Sequence, residues 1–561
     1  MPLCSSCGSN TFVPRVVVDF PGLHDKLRTL SGPAFVQPDE VASVLQNIQR
    51  DLEDYKAEIY RLECLRPEKE RLEQYAIQLR SLLSPFRKVP DEILQCIFDD
   101  SCNMNIFCVV DSKRRLPVHT SQALIRKPAM VISLVCSRWR RNALSMPVIW
   151  SRISLKWMMN APRDYCADEY AKEFFPLSNF LDRSQKCPMM VNLDIPKNPF
   201  VRSSVLHPSL EQLFGNAGRW QDLSFKSADY SIKNLLDCDG IPSASFPVLR
   251  KLHLPAGAIE EDLVLFVGTA PSLQSLSLDN ADDASWEFKH LNLKLLSHLD
   301  LVPAQVDIQY SFAQCPNLFS LGITESWQNF RRRPIMGPYS SRLEILTVRH
   351  GHRWSVSDDE DSVFPLLSFP SLKALHLENS ESGGWPIKKY WNNFKPFMMF
   401  VKQSSFQLTT FSIQQLSISD ANLVHILVHL PTLQNLTVDD IGISPGCSPI
   451  SSDFIESLHA YRSSPLRLQT GSIIPRVRSL RLLNLAAITF SDLSVVEMVQ
   501  SRWIPTRLHA VGTSALEVDC LREFTLTFLN RSEVDAGGVY RSLDPIEKNG
   551  MRIVVQMLEE E

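Results

Sequence analysis

The features this sequence lacks already narrow its function. Its longest apolar stretches, such as Leu263–Val267 and Leu423–Leu430, fall far short of the ~20 residues that cross a bilayer, so no membrane partner is expected. The opening Met1-Pro2-Leu3-Cys4-Ser5-Ser6 has no basic segment followed by an apolar run, which argues against a secretory signal. No charge sign dominates: the formal balance is −4, which gives no global case for nucleic acid. The thirteen cysteines are odd in number and scattered from Cys4 to Cys520, a reduced pattern that excludes a disulfide framework and points to the cytoplasm or nucleus. Cys4-Ser5-Ser6-Cys7 has the spacing of half a zinc site, but no second pair follows to complete it, so no metal is expected. Gly-x-x-x-x-Gly-Lys-[Ser/Thr], His-Glu-x-x-His and Gly-x-Gly-x-x-Gly are all missing, and the histidines are dispersed. The expectation is a protein with no catalytic site and no cofactor.

Hydrophobic residues make up 44% and charged residues 21% of the 561 positions, enough apolar material for a sizeable core in more than one folding unit. Residues 1–38, punctuated by five prolines, read as an irregular arm. In 39–83, Leu45, Ile48, Leu52, Tyr55, Ile59 and Leu62 step by three and four, and Leu65, Leu72, Tyr75, Leu79 and Leu82 resume in a changed phase around Pro67. Arg50, Asp51, Glu53, Asp54, Lys56, Glu58, Arg61 and Glu63 read as the charged outer surface. Two readings stay open: a coiled coil that dimerises or braces its neighbour, and a helical pair bent at Pro67 that packs on its own domain.

Residues 84–155 are the stretch around which the chain is organised. Pro90 suits a first helical position, Asp91 and Glu92 fall in the first turn, and Ile93, Leu94, Ile97 and Phe98 make an apolar face. A second helix is expected over Met130–Leu144, with Leu134, Val135, Trp139 and Ala143 opposed by Arg138, Arg140, Arg141 and Asn142, and with Pro147 stopping it. Between the halves, about 100–127, Lys113-Arg114-Arg115 and scattered polar residues read as a surface-loop insertion. Such short helices cannot bury a core alone. Residues 156–188 read as a helical connector, and the Met189/Val191/Leu193/Ile195 alternation as a strand.

The order Val-Pro-Asp-Glu-Ile-Leu-x-x-Ile-Phe, Leu-Val-Cys-x-x-Trp-Arg-x-x-Ala-Leu and Pro-x-x-Trp resembles an F-box, most of all the expanded F-box family of mushroom-forming fungi. That resemblance implies docking on the Skp adaptor of a cullin-based ubiquitin ligase. The residues that would dock are Pro90, Ile93, Leu94, Ile97, Phe98, Leu134, Val135, Cys136, Trp139 and Trp150, through apolar burial. The Ser501-Arg502-Trp503 segment adds to the resemblance. The alternative is a ligase-independent interaction scaffold whose box is structural only.

From about residue 189 to 561 a unit Pro-x-Leu-x-x-Leu-x-Leu recurs, as in Pro247–Leu254, Pro271–Leu278 and Pro370–Leu377. Its central apolar residues are Leu223, Leu252, Leu276, Leu299, Leu321, Leu346, Leu375, Phe411, Leu436, Leu480 and Phe524. Most steps fit the 20–29-residue period of leucine-rich repeats, while later steps of 36 and 44 imply insertions or missed turns. Each unit predicts a short strand with alternate leucines inward, and Glu260–Val267 and Asn422–Leu430 predict convex helices. Together with the segments before it, this is an α+β multi-domain chain: helical arm, small all-α box, then an α/β leucine-rich-repeat-like solenoid. The outward positions His253, Ser277, Asp300, Thr347, His376, Ser412, Thr437 and Arg481 would form a concave surface of mixed polarity, suited to an unknown protein substrate. Asp358–Asp361 and Arg331–Arg333 read as solvated loops.

Overall fold

The computed structural model describes residues 14–29, 37–59, 66–110, 127–158, 177–194, 200–202, 205–206, 208–227, 245–255, 260–279, 293–301, 314–325, 342–350, 362–379, 391–461, 473–485, 490–504, 518–529 and 538–558, with single residues 232, 258 and 291. The Cys4/Cys7 pair, Lys113–Arg115, Arg331–Arg333 and Asp358–Asp361 lie outside them. The chain divides into two compact units, residues 1–194 with 200–220, and residues 195–199 with 221–561.

The first unit begins with helices α1 (Phe20–Thr29), α2 (Pro38–Ile59) and α3 (Arg66–Leu82). Helix α1 replaces part of the expected irregular arm. The heptad residues Ile48, Leu52, Tyr55, Leu72, Tyr75, Leu79 and Leu82 are buried together with Leu23 and Ala76. The apolar seam is therefore consumed within the chain, which favours the helical-pair reading. Pro67 stands in the first turn of α3, where its missing N–H costs nothing. Asp51, expected on the outer surface, is fully buried because it accepts from Arg15 Nη1 at 2.7 Å and from the Val16 N–H at 3.0 Å.

Next come α4 (Asp91–Ser101), α5 (Pro128–Val135), α6 (Ser137–Leu144) and α7 (Pro147–Trp150). The single helix expected over Met130–Leu144 is broken at Cys136. Its backbone is extended (φ −158°, ψ 171°), and its Sγ accepts the Trp139 N–H at 3.4 Å, capping α6. The insertion is not wholly a loop: β1 (Asn105–Val110) pairs in parallel with β2 (Arg152–Met158), which pairs in parallel with β3 (Met189–Asp194). Phe107, Ile153, Leu155, Val191 and Leu193 are buried, and Phe107 meets Phe180 edge-on at 5.1 Å. Phe180 belongs to α8, residues 177–183. The strand expected at 189 is β3, which falls within the first unit. A hairpin, β4 (Phe200–Arg202) and β5 (Val205–Leu206), and α9 (Pro208–Phe214) complete it.

The second unit is a ladder of parallel strands in chain order: β6 (Trp220–Ser227), β7 (Lys251–Leu254), β8 (Ser275–Leu278), β9 (His298–Leu301), β10 (Ser320–Glu325), β11 (Ile345–His350), β12 (Ala374–Asn379), β13 (Thr410–Gln414), β14 (Asn435–Asp439), β15 (Ser479–Leu485), β16 (Glu523–Leu529) and β17 (Arg552–Leu558). The eleven central residues of the repeats all lie in one register row, and all are buried. Since β12 pairs directly with β13, β14 with β15 and β15 with β16, the long sequence steps are insertions and not missed strands. The insertions hold helices: α11 (Phe394–Ser404) before β13, α13 (Ser452–Ser457) before β15, and α14 (Asp492–Arg502) before β16. Helices α10 (Glu260–Thr269), α12 (Asp420–Val428) and α15 (Asp544–Lys548) fill other connections. Ser419 and Ser451 cap α12 and α13 by accepting the N–H groups of Asn422 and Phe454.

Candidate functional site

Two surfaces emerge, one in each unit. In the first, two arginines remote in sequence hold helix α4 at its ends. Arg138 donates to the Asp91 carboxylate from Nε at 2.7 Å and to the Val89 carbonyl from Nη2 at 2.6 Å, with further bonds to the Phe86 and Arg87 carbonyls. Burial works against ionisation of Asp91, but hydrogen bonds from Arg138 and Asn142 and the charges of Arg138 and Arg141 outweigh it, so its pKa falls below the usual value. At the other end Arg152 donates to the Asp99 and Cys102 carbonyls, both at 2.8 Å, and pairs with the Asp99 carboxylate at 2.6 Å. This satisfies carbonyls that a helix end leaves open. Buried Asn105 donates to the carbonyls of Ile149 and Arg152 and accepts the Ala129 N–H, tying α5, α7 and the sheet together.

Within this frame the ten apolar candidates divide. Leu94, Phe98 and Trp150 are the domain's own core. The Trp150 indole donates to the Ala143 carbonyl at 2.7 Å, and its ring meets Phe180 and the Arg183 guanidinium. Trp139 is half-buried against Phe98 and Phe86. Pro90 and Cys136 are exposed, as are Ile93 (52%), Ile97 (39%), Leu134 (56%) and Val135 (56%). Phe86, Val131, Leu144 and Val148 are exposed too, so helices α4 to α7 each carry apolar side chains in water. Such groups are normally buried, and covering a half-exposed Ile, Leu or Val returns about 1 kcal/mol each. Pro90 itself is the N-cap, its carbonyl accepting the Leu94 N–H at 3.1 Å, and not the first helical residue. No local pattern marks Asn105, Arg138 or Arg152, because their partners lie 24 to 53 residues away.

In the second unit, His253, Ser277, Asp300, Thr347, His376, Ser412, Thr437 and Arg481 occupy one outward register row, with Gly322 between Asp300 and Thr347. At ~4.8 Å per strand the row spans ~38 Å. Ion pairs subdivide it: Arg349 bonds Asp300 and Glu378, each at 3.2 Å, and Glu523 bonds Arg481 at 3.0 Å and Arg552 at 3.2 Å. Burial lowers the pKa of His376 and outweighs the opposing charge of Glu378, leaving a neutral imidazole in the middle of the row at pH 7. Ser412 is almost fully buried there, whereas Arg481 is exposed.

His253 bonds Ser277 Oγ through Nδ1 at 3.1 Å and approaches Asp279 through Nε2 at 3.2 Å. The set has the residue types of a hydrolytic triad but sits mid-strand, where the parallel ladder engages the backbone amides an oxyanion would need. The sequence also contains one Gly-x-Ser-x-Gly, Gly442-Ile443-Ser444-Pro445-Gly446. It follows β14 but turns into a single 3-10 turn closed by Cys447 N–H on the Ser444 carbonyl, and among the described residues no histidine bonds Ser444. It is not a strand-to-helix nucleophile elbow.

No described helix is long and apolar enough to cross a membrane, and no group of three or more His, Cys, Asp or Glu is gathered for a metal among the described residues. Neither a family model nor a curated protein matches the chain.

Proposed function

We propose that the chain is a substrate-recognition adaptor: an F-box comprising α4 to α7 docks on a Skp-type adaptor and its cullin scaffold, while a leucine-rich-repeat-like solenoid binds a protein substrate for ubiquitin transfer. The observation that carries this reading is Ile93, Ile97, Leu134 and Val135, left exposed on helices that supply Leu94, Phe98, Ala129 and Ile132 to the core. A docking face needs that division, because the partner's helices must meet apolar groups that the domain does not itself require. The outward row of the solenoid, polar and of mixed charge, suits a protein surface better than a uniformly charged polymer. On this reading the chain performs no chemical step, and its place of work is the cytoplasm or nucleus.

The test is co-purification of the full chain with a Skp-type adaptor. Ile93→Lys with Leu134→Lys should abolish binding and leave the melting temperature within about 1–2 °C, since exposed substitutions away from special features change stability little. Leu94→Lys is the contrasting variant: it buries an unpaired ammonium and should unfold the first unit. Absence of wild-type binding at micromolar concentrations would sink the ligase reading and leave an interaction scaffold.

A further inference from the structure

Helix α12 buries Leu423, Val424, Ile426 and Leu427 and presents His425 outward. One turn further on, His429 is also exposed and caps the helix (φ −86°, ψ 1°). Residues four apart share a helix face, and the two imidazole centroids are 4.9 Å apart with planes inclined at 45°. The second observation fixes the chemistry of the outer ring. His429 Nδ1 lies 2.9 Å from the His425 carbonyl oxygen. A carbonyl can only accept, so Nδ1 carries the proton and the lone pair of Nε2 is available. Histidine ligands characteristically donate their other ring N–H in this way. Phe394 stands at 5.7 Å against His425, limiting its ring on one side.

We propose that His425 and His429 form an open two-imidazole site for a borderline divalent cation of the copper, nickel and zinc class, with water completing the coordination. Imidazole nitrogen suits these ions, and the end of the helix contributes the negative pole of its dipole. With two protein ligands and water in the remaining positions, the site is an exchangeable one and not a closed structural centre. This inference is independent of adaptor docking and uses none of the residues in either surface.

The experiment titrates the full chain with Cu²⁺ alone, following heat and the electron paramagnetic resonance of the bound ion. The expected result is one equivalent whose spectrum shows two nitrogen ligands. His425→Gln and His429→Gln should each remove that equivalent without moving the melting temperature. His459→Gln, at another histidine of the same unit, should leave it intact. Carbethoxylation provides a second measurement, with Zn²⁺ expected to protect His425 and His429 together. The proposal is overturned if the wild type shows no two-nitrogen equivalent, if either single variant retains it, or if Zn²⁺ protects neither ring.

Discussion

Asp300 and Arg349 form an ion pair across an intervening strand. Asp300 is on β9 and Arg349 on β11, and the Oδ1–Nη1 distance of 3.2 Å is reached directly above Gly322 of β10. A Cβ at Gly322 would stand 1.6 Å from Asp300 Oδ1. The glycine is there because the side chains of two strands close over it.

Gly322→Ala should therefore displace the Asp300 carboxylate and break its pair with Arg349, destabilising the second unit by about 1 kcal/mol, since both side chains are part-exposed. The same substitution in an Asp300→Ala background should cost much less, because the clashing carboxylate is gone. Thermal melts of the four proteins of this cycle measure the coupling, and additive effects would refute the explanation.

Arg502 is fully buried at the end of α14. Its guanidinium donates to the Leu458 carbonyl at 2.5 Å, to that of Ile473 at 2.9 Å and to that of Ile474 at 3.2 Å, joining segments 28 to 44 residues apart. Arg502→Met keeps much of the volume and removes the donors. It should cost about 3 kcal/mol, since buried carbonyls are left without their partners, with a lower urea midpoint as the readout.

Acid should weaken the second unit in two stages. His376 has a folded pKa below its ordinary value of 6.5, so the unfolded chain takes up the proton first. Its contribution is complete above about pH 6.5 and is lost as pH falls through the depressed folded value. Glu523 follows at lower pH. Burial opposes its ionisation, but the Ser479 hydroxyl and the charges of Arg481 and Arg552 outweigh it and lower its pKa. Its contribution is present above the ordinary glutamate range, about 4.3, and is lost below it. Urea midpoints between pH 7.5 and 3.5 should show both losses. His376→Gln should flatten only the upper one.

The cysteines should separate by reactivity. Burial pushes the thiol of Cys102 up to about 11 and that of Cys315 up to about 12, whereas Cys96 and Cys136 are exposed. Brief iodoacetamide treatment of the folded chain should label Cys96 and Cys136 and spare Cys102 and Cys315, as read by peptide mass spectrometry. Bound Skp-type adaptor should protect Cys136, which stands between exposed Val135 and α6. Unchanged labelling in a demonstrated complex would place the adaptor elsewhere.

The repeats were legible because period and alternation are local properties. From Leu223 to Phe524 the spacing of leucines identifies the strands, and the residue after each central leucine names the outward row. Strand β17 escaped that reading, since Ile553, Val555 and Met557 replace the leucines and no proline introduces them. Strand β1 escaped it for a different reason. Asn105-Ile106-Phe107-Cys108 is too short to announce itself, and its stability comes from β2, more than forty residues later.

The sequence by itself determined the strands from β6 to β16, the buried leucine row and the polar row opposite, because each follows from side chains repeating at the period of a strand. It also presented Ile93 and Leu94 as equal members of one apolar face. Only the tertiary structure separated them, placing Leu94 in the core with Phe98 and leaving Ile93 in water. Hydrophobicity specifies that a side chain gains by being covered. Which neighbour covers it depends on where Arg138, Arg152 and Asn105 hold α4, α5 and α7, through bonds between residues far apart in the chain.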